Sequence, residues 1–253
     1  MENLLKIEHV KQVFGGLVAL QNINISVCKG EIVGVIGPNG AGKTTLFNIV
    51  TGFYTPTEGS VSLNGQTITG KRDYEITSIG IARTFQNIRL FKGLTVLDNI
   101  LIGMHARTKN NLLGSVAFTK KFRAEEKARE CRAEEIMALL DLNKYRYYLA
   151  SNLPYGLQRR LEIARALATE PTLLLLDEPV AGMNEQETED MRNIILELRD
   201  LGYSILLIEH DMRFVMNICD RLYVLNYGKQ IADGTPAEVK NNQLVIDAYL
   251  GEE

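Results

Sequence analysis

The stretch whose reading decides the fold is Glu31-Ile32-Val33-Gly34-Val35-Ile36, followed at once by Gly37-Pro38-Asn39-Gly40-Ala41-Gly42-Lys43-Thr44. A short apolar run ended by glycine reads as a buried strand, and Thr44 to Val50 has helical character, so the glycine-rich segment joins strand to helix. Gly, four residues, Gly, Lys, then Ser or Thr is the pattern of a phosphate-binding P-loop. The chemistry asks for those residue types. Backbone N–H groups must point inward at phosphate oxygens, which side chains would obstruct, and the following helix adds the positive end of its dipole. Gly37, Pro38, Asn39, Gly40, Ala41, Gly42, Lys43, Thr44 and Thr45 are therefore the expected nucleotide cradle. Lys43 neutralises the β and γ phosphates, and Thr44 offers its hydroxyl to Mg²⁺, which prefers hard oxygen ligands.

A second apolar run, Leu173-Leu174-Leu175-Leu176, delivers Asp177 and Glu178 at a strand's carboxyl end, where open α/β sheets bind ligands. Asp177 is expected to hold the metal through its water shell. Glu178, pointing the other way, is expected to polarise a water for in-line attack on the γ phosphate, because phosphoryl transfer depends mostly on positioning and charge stabilisation. Ser204 to Ile208 is a further run and leads into Glu209-His210-Asp211, which makes His210 a candidate donor to the same phosphate. Alone, a histidine at a strand end is more often a cap or a core residue. Gln86 is as unspecific by itself, since an amide can bridge Mg²⁺ and water or merely begin a loop. Phe14 reads equally as a stack for adenine or as a core aromatic.

Around these motifs, Ile7, His9 and Lys11 alternate with Glu8, Val10 and Gln12; Ile23, Ile25 and Val27 alternate with polar residues; Val61 and Leu63 share a face. That predicts an N-terminal antiparallel sheet. From Leu94 to Asn152 the strand-like runs vanish, and Ala128, Cys131 or Arg132, Ile136, Leu139 and Leu140 recur at helical spacing. An inserted α-helical subdomain is expected over 95–152, with His105 to Phe122 as an exposed, mobile excursion. Two helical stripes, Leu157-Leu161-Ala164-Ala168 and Met191-Ile194-Leu198-Leu201, then alternate with the apolar strands, which implies a mainly parallel sheet covered on both faces. Thr235-Pro236-Ala237-Glu238 supplies a capping box and a first-turn proline for a C-terminal helix. The expected fold is thus a single α/β P-loop NTPase domain with a RecA-like core over 1–94 and 153–253.

The chain of 253 residues is 45% hydrophobic and 23% charged, enough apolar content for a large core and too much for disorder. Its 31 acids against 28 bases, a net charge of −3, disfavour a nucleic-acid partner. No run of about 18 apolar residues occurs, and Met1-Glu2-Asn3 is acidic where a leader would be basic, so neither a membrane span nor secretion is expected. Cys28, Cys131 and Cys219 lie far apart with no pair at zinc-ligand spacing, which fits a reducing cytoplasm.

In combination these residues resemble the ATP-binding subunits of ABC transporters over nearly the whole chain. Phe14 is similar to the family's adenine-stacking aromatic, Gly37 to Thr44 to its Walker A loop, Gln86 to its Q-loop, Asp177-Glu178 to Walker B and the catalytic glutamate, and His210 to its switch histidine. The resemblance implies catalytic roles for Glu178, His210, Gln86 and Lys43, and metal contacts from Thr44, Gln86 and Asp177. The signature Leu-Ser-Gly-Gly-Gln is represented by Leu153-Pro154-Tyr155-Gly156-Leu157, in which only Leu153 and Gly156 match. Pro154 has neither hydroxyl nor N–H, so the implied grip of Tyr155 and Gly156 on a partner's nucleotide uses fewer direct phosphate bonds. Asn184 stands where the family's D-loop has an acid, and it also reads as a helix N-cap with Glu187 three residues on.

Within that family the chain resembles the ATPase subunits of bacterial branched-chain amino acid importers of Liv type. The stretches are Phe14-Gly15-Gly16-Leu17, Arg83 to Phe91, Gln158-Arg159-Arg160-Leu161-Glu162, Ala181-Gly182-Met183-Asn184 and Ala248-Tyr249-Leu250-Gly251-Glu252. The resemblance implies ATP and Mg²⁺, hydrolysis coupled to transport, and a peripheral place at the cytoplasmic face of the inner membrane. Its implied partners are integral-membrane permease subunits, a second ATPase subunit (a relative or a second copy) facing it head to tail, and indirectly an external solute-binding protein. Leu90, Phe91 and Leu94 read either as an apolar socket for a permease helix or as subdomain core. Urea or lipopolysaccharide transport, a soluble ABC ATPase, a P-loop kinase and a non-catalytic binding module are the rival readings.

Overall fold

Every position of Ile32–Ile36, Leu173–Asp177 and Ser204–Ile208 is buried, as befits strands covered on both faces. The computed structural model describes residues 2–104 and 120–250; most of the expected excursion, 105–119, lies outside the described residues. The strands are β1 (Asn3–Phe14), β2 (Leu17–Cys28), β3 (Ile32–Ile36), β4 (Glu58–Leu63), β5 (Gln66–Thr67), β6 (Ile81–Arg83), β7 (Leu173–Asp177), β8 (Ser204–Ile208), β9 (Arg221–Asn226) and β10 (Lys229–Gly234). The helices are α1 (Lys43–Val50), α2 (Asp73–Ile79), α3 (Val96–Met104), α4 (Lys120–Leu139), α5 (Tyr155–Leu167), α6 (Glu185–Asp200), α7 (Met212–Ile218), α8 (Pro236–Lys240) and α9 (Gln243–Leu250). Among the described residues no helix is long and apolar enough to cross a membrane.

The strands join in the order β5-β4-β1-β2-β10-β9-β3-β8-β7-β6. From β9 to β6 all pairs are parallel, while β2-β1-β4-β5 are antiparallel. Alternate residues divide the parallel strands between two cores, as the two-residue period of a strand requires. Ile32, Ile36, Leu174, Leu176, Ile205 and Leu207 face one core, which is closed by residues of α3 through α9. Val33, Val35, Leu173, Leu175, Leu206 and Ile208 face the other, closed by α1 and the antiparallel strands. Ala133, Ile136 and Met137 of α4 belong to the first core together with Leu161 and Ile163 of α5, so the inserted helices share the main domain's interior.

Three expectations about side chains change. In β1, two residues between Ile7 and Val10 oppose only Asn24 between Ile25 and Ile23 of β2, which is a β-bulge. His9 adopts φ 51° there and its N–H donates to Asn24 Oδ1 at 2.9 Å. The extra residue reverses the phase, so Val10 and Gln12 turn inward and His9 outward, instead of Ile7, His9 and Lys11 sharing one face. In α4 the buried stripe is Ala133, Ile136 and Met137, continued by Leu140 just past the helix end, whereas Ala128 and Cys131 are exposed. Leu201 is 61% exposed because α6 ends before it, at Asp200, and the helical period no longer carries it inward. The capping boxes of Asn184 with Glu187 and Thr235 with Glu238 both form. The second opens only the short α8, and α9 follows after Asn241-Asn242.

Truncating Leu206, fully buried between β3 and β7, should lower the unfolding free energy by about 2–5 kcal/mol. Leu201→Ala should change it by less than about 0.5 kcal/mol. Urea denaturation of the two variants checks both.

Candidate nucleotide site

The parallel register sets the site. Val35 of β3 pairs with Ile208 of β8, and Ile208 pairs with Asp177 of β7. Three strands therefore end in one row, and the segments leaving them (Gly37 to Gly42, Glu209-His210 and Glu178) emerge along the same carboxyl edge.

The glycine-rich loop turns as its sequence demands at two positions. Gly37 has φ 148°, and a Cβ there would lie 2.0 Å from the Leu225 carbonyl oxygen. Gly42 has φ 104°, with a Cβ position 2.9 Å from the Ala19 carbonyl oxygen, so the start of β2 packs on the loop. Only glycine fits a left-handed backbone so closely approached. Pro38 and Ala41 are buried in the base of the loop, and Asn39 and Gly40 are exposed at its tip. Lys43 is 8% exposed, and its ammonium donates to the carbonyls of Gly37 at 2.5 Å and Pro38 at 2.9 Å, which sets the positive charge at the loop. Thr44 is exposed and Thr45 half-buried on α1. No acid sits in the first turn of α1, so that end of the helix retains its attraction for an anion.

Thr44, Asn48 and Thr51 lie on one face of α1 by the helical period. Arg83, at the end of β6, donates to Asn48 Oδ1 at 2.7 Å and to Asp177 Oδ2 at 2.6 Å. The Arg83–Asp177 pair, with both side chains 6% exposed, thereby ties the acid at the end of β7 to the helix that follows the loop. Asp177 N–H also donates to Thr84 Oγ1 at 3.2 Å. Glu178 leaves the strand with φ 50°, and its carboxylate meets a different partner from that of Asp177. Gln86 Nε2 donates to Glu178 Oε2 at 2.9 Å, and His210 Nδ1 lies 3.9 Å from Glu178 Oε1. Gln86, Glu178 and His210 are thus brought together.

Among the described residues no cluster of three or more His, Cys, Asp or Glu side chains could hold a metal ion. The oxygens on offer, the Thr44 hydroxyl, the Gln86 amide and the Asp177 carboxylate, suit a cation that takes a few hard protein ligands and completes its shell with phosphate and water, as Mg²⁺ does. Phe14 ends β1 half-open to solvent, its ring edge-on to Tyr54 with centroids 5.1 Å apart. Tyr155 and Gly156 begin α5 and neighbour Gly182 and Glu187, where a Cβ at Gly156 would meet Glu187 Oε1 at 2.7 Å. Leu90 packs against the core, whereas Phe91 and Leu94 are exposed.

Two residues quoted in the sequence only as part of a resemblance hold the Gln86 loop. Arg159, fully buried on α5, donates to the carbonyls of Phe85 at 2.6 Å and Gln86 at 2.9 Å and to Glu162 Oε2 at 2.9 Å. Glu162 Oε1 accepts from the N–H groups of Phe85 at 3.3 Å and Arg89 at 3.2 Å. Their signal is faint but physical: charges at positions 159 and 162 fall on the helix face that also carries Gly156, Ile163 and Ala166. Burial pushes the Glu162 carboxyl above the usual range, against the pull of the Arg89 N–H and the Arg159 guanidinium. Its contribution to stability is therefore complete below the ordinary carboxylate pKa and is lost as pH rises through the raised folded value. Glu162→Gln should flatten that slope in pH-dependent melting. Arg159→Met, which strands a buried carboxylate, should cost about 3–5 kcal/mol, and adding Glu162→Leu should recover most of it.

Residues 20–181 match the family described as ABC transporter, and residues 229–253 match the branched-chain amino acid ATP-binding cassette transporter description. The high-affinity branched-chain amino acid transport ATP-binding protein LivG of Escherichia coli K12 is 46% identical over 250 residues, 98% of each chain. The crystal structure of the ADP conformation of an ATP-binding cassette of an ABC transporter superposes with TM-score 0.87 at 37% identity, covering 100% of both chains. A dimeric post-hydrolysis cassette bound to ADP and Pi superposes with TM-score 0.77 at 26% identity, over 92% of this chain and 99% of that one. With the whole chain matched in sequence and in fold, this protein belongs to the ATP-binding proteins of the ABC transporters, among the relatives of LivG.

Proposed function

We propose that this chain is the ATP-hydrolysing subunit of an importer for branched-chain amino acids, seated on integral-membrane permease subunits at the cytoplasmic face of the membrane. The observation that carries the catalytic part is the single edge on which the Lys43 loop, Asp177, Glu178 and His210 converge. The solute class rests on the printed function of its 46%-identical relative.

In this reading ATP lies with its phosphates on the N–H groups of Gly37 to Thr45 and against Lys43, and its adenine on Phe14. Thr44, Gln86 and Asp177 would hold Mg²⁺ together with the nucleotide, and the metal would supply neutralisation of phosphate charge. Glu178 takes a proton from the attacking water, the water oxygen bonds to the γ phosphorus, and the bond to the β-phosphate oxygen breaks to leave ADP. Gln86 and His210 hold the carboxylate and the γ phosphate in line. A second ATPase subunit, a copy or a relative, completes each site through Tyr155 and Gly156 at the start of α5; the dimeric cassette among the solved structures supports such pairing. Closure of the pair favours one permease conformation by its difference in binding energy, and hydrolysis releases it. Exposed Phe91 and Leu94 beside the Gln86 loop give the permease a surface to push on. In this reading residues 95–152 are the helical subdomain, whose Asn99 and Ala150 hold the backbone of Phe91 and Leu94, and an external solute-binding protein supplies the cargo.

Glu178→Gln should lower ATP turnover by about 100-fold or more while MgATP still binds and the dimer persists. Turnover near the wild-type rate would refute the assignment. Vesicles containing the chain with its co-purifying membrane subunits should take up leucine, isoleucine or valine on addition of ATP and solute-binding protein; uptake of urea alone would contradict the solute class.

A further inference from the structure

Glu178 occupies a left-handed backbone conformation, φ 50°, which residues with a Cβ adopt at a penalty and keep only where their surroundings over-determine it. Several contacts do so here. Glu178 N–H donates to the Ile208 carbonyl at 2.9 Å, and Ala181 N–H returns to the Glu178 carbonyl at 3.2 Å. Between them Pro179 has no N–H to give, and the next donor, Val180 N–H, is buried. It finds its acceptor in the Glu209 side chain, at 3.0 Å from Oε1.

Glu209 is itself fully buried. It directly follows β8, whose every residue is buried, so an apolar side chain would suit its surroundings better than a carboxylate on solvation grounds alone. Both of its oxygens are in use. Oε1 holds Val180 N–H, and Oε2 holds the N–H of His210 at 3.1 Å. One rigid group thus spans the turn that carries Glu178 and the loop that carries His210. These segments come from different strands, and their side chains approach to 3.9 Å.

We propose that Glu209 is a positioning residue for hydrolysis: its buried carboxylate, gripping the backbone N–H groups of Val180 and His210 at once, sets the spacing between the Glu178 carboxylate and the His210 ring. The inference rests on the roles proposed above for those two side chains. It assigns Glu209 no contact with nucleotide, so its loss should act on turnover and leave ATP affinity alone.

The test is steady-state ATP hydrolysis and equilibrium MgATP binding by the full-length chain carrying Glu209→Leu or Glu209→Gln, with thermal melting to establish folding and Glu178→Gln assayed alongside. Glu209→Leu supplies no acceptor and should lower kcat by about tenfold or more while KM for ATP and the binding constant stay within about twofold. Glu209→Gln keeps one acceptor oxygen and should lose only about three- to fivefold. A folded Glu209→Leu chain with wild-type kcat, or one that loses ATP affinity in step with kcat, overturns the inference. If Glu209→Leu does not fold, Glu209→Gln decides: a lower kcat at unchanged KM upholds the proposal and an unchanged kcat ends it. A Glu178→Gln chain that still turns over at the wild-type rate sinks the underlying role of Glu178. An inactive Glu178→Gln beside normal Glu209 variants sinks the positioning role alone.

Discussion

Strands that are apolar on both faces can present chemistry only where they end. In this molecule that constraint acts on three strands locked in one register, Val35 to Ile208 to Asp177. Each interior residue is committed to one of two cores, and the first polar residues after the strands must emerge along the same edge. Slipping any strand by one residue would exchange its two faces and misplace the acid, the histidine or the glycine loop together. The proposed phosphate grip and proton acceptor are thus consequences of how leucine, isoleucine and valine pack.

Charged groups inside the molecule serve that edge. The Arg83–Asp177 pair bridges α1 to β7, the Arg159–Glu162 pair holds the backbone of the Gln86 loop from α5, and Glu209 links the segments after β7 and β8. Buried ion pairs are weak sources of net stability against well-packed apolar side chains. Their gain here is directional: the first joins α1 to β7, and the other two fix the segments that carry Gln86, Glu178 and His210, of which Gln86 and His210 are exposed and Glu178 is partly buried. The burden of precision falls on α5 in particular, since the same helix begins with Tyr155 and Gly156 and a turn later grips the Gln86 loop.

The parts legible in the sequence were those with a strong local signature. The Gly37 to Thr44 pattern between strand and helix, the leucine run before Asp177, and the capping boxes at Asn184 and Thr235 each follow from a short-range rule. The His9 bulge was not legible, because two residues opposing one depend on the partner strand and on an Asn24 side chain in it. Leu201 matched the helical period but lay past the helix end, where period carries no information. Arg159, Glu162 and Glu209 are charges whose burial depends on tertiary neighbours, and charge in a sequence ordinarily signals solvent.

The central claim is that the Lys43 loop and Asp177 act on one nucleotide-bound cation. Its most direct test is the gain in ATP affinity on adding Mg²⁺, measured by calorimetry on the wild-type chain and on Asp177→Asn. The account predicts a wild-type gain that Asp177→Asn reduces by about tenfold or more, with metal-free ATP binding through Lys43 retained. An equal Mg²⁺-dependent gain in both proteins would contradict it.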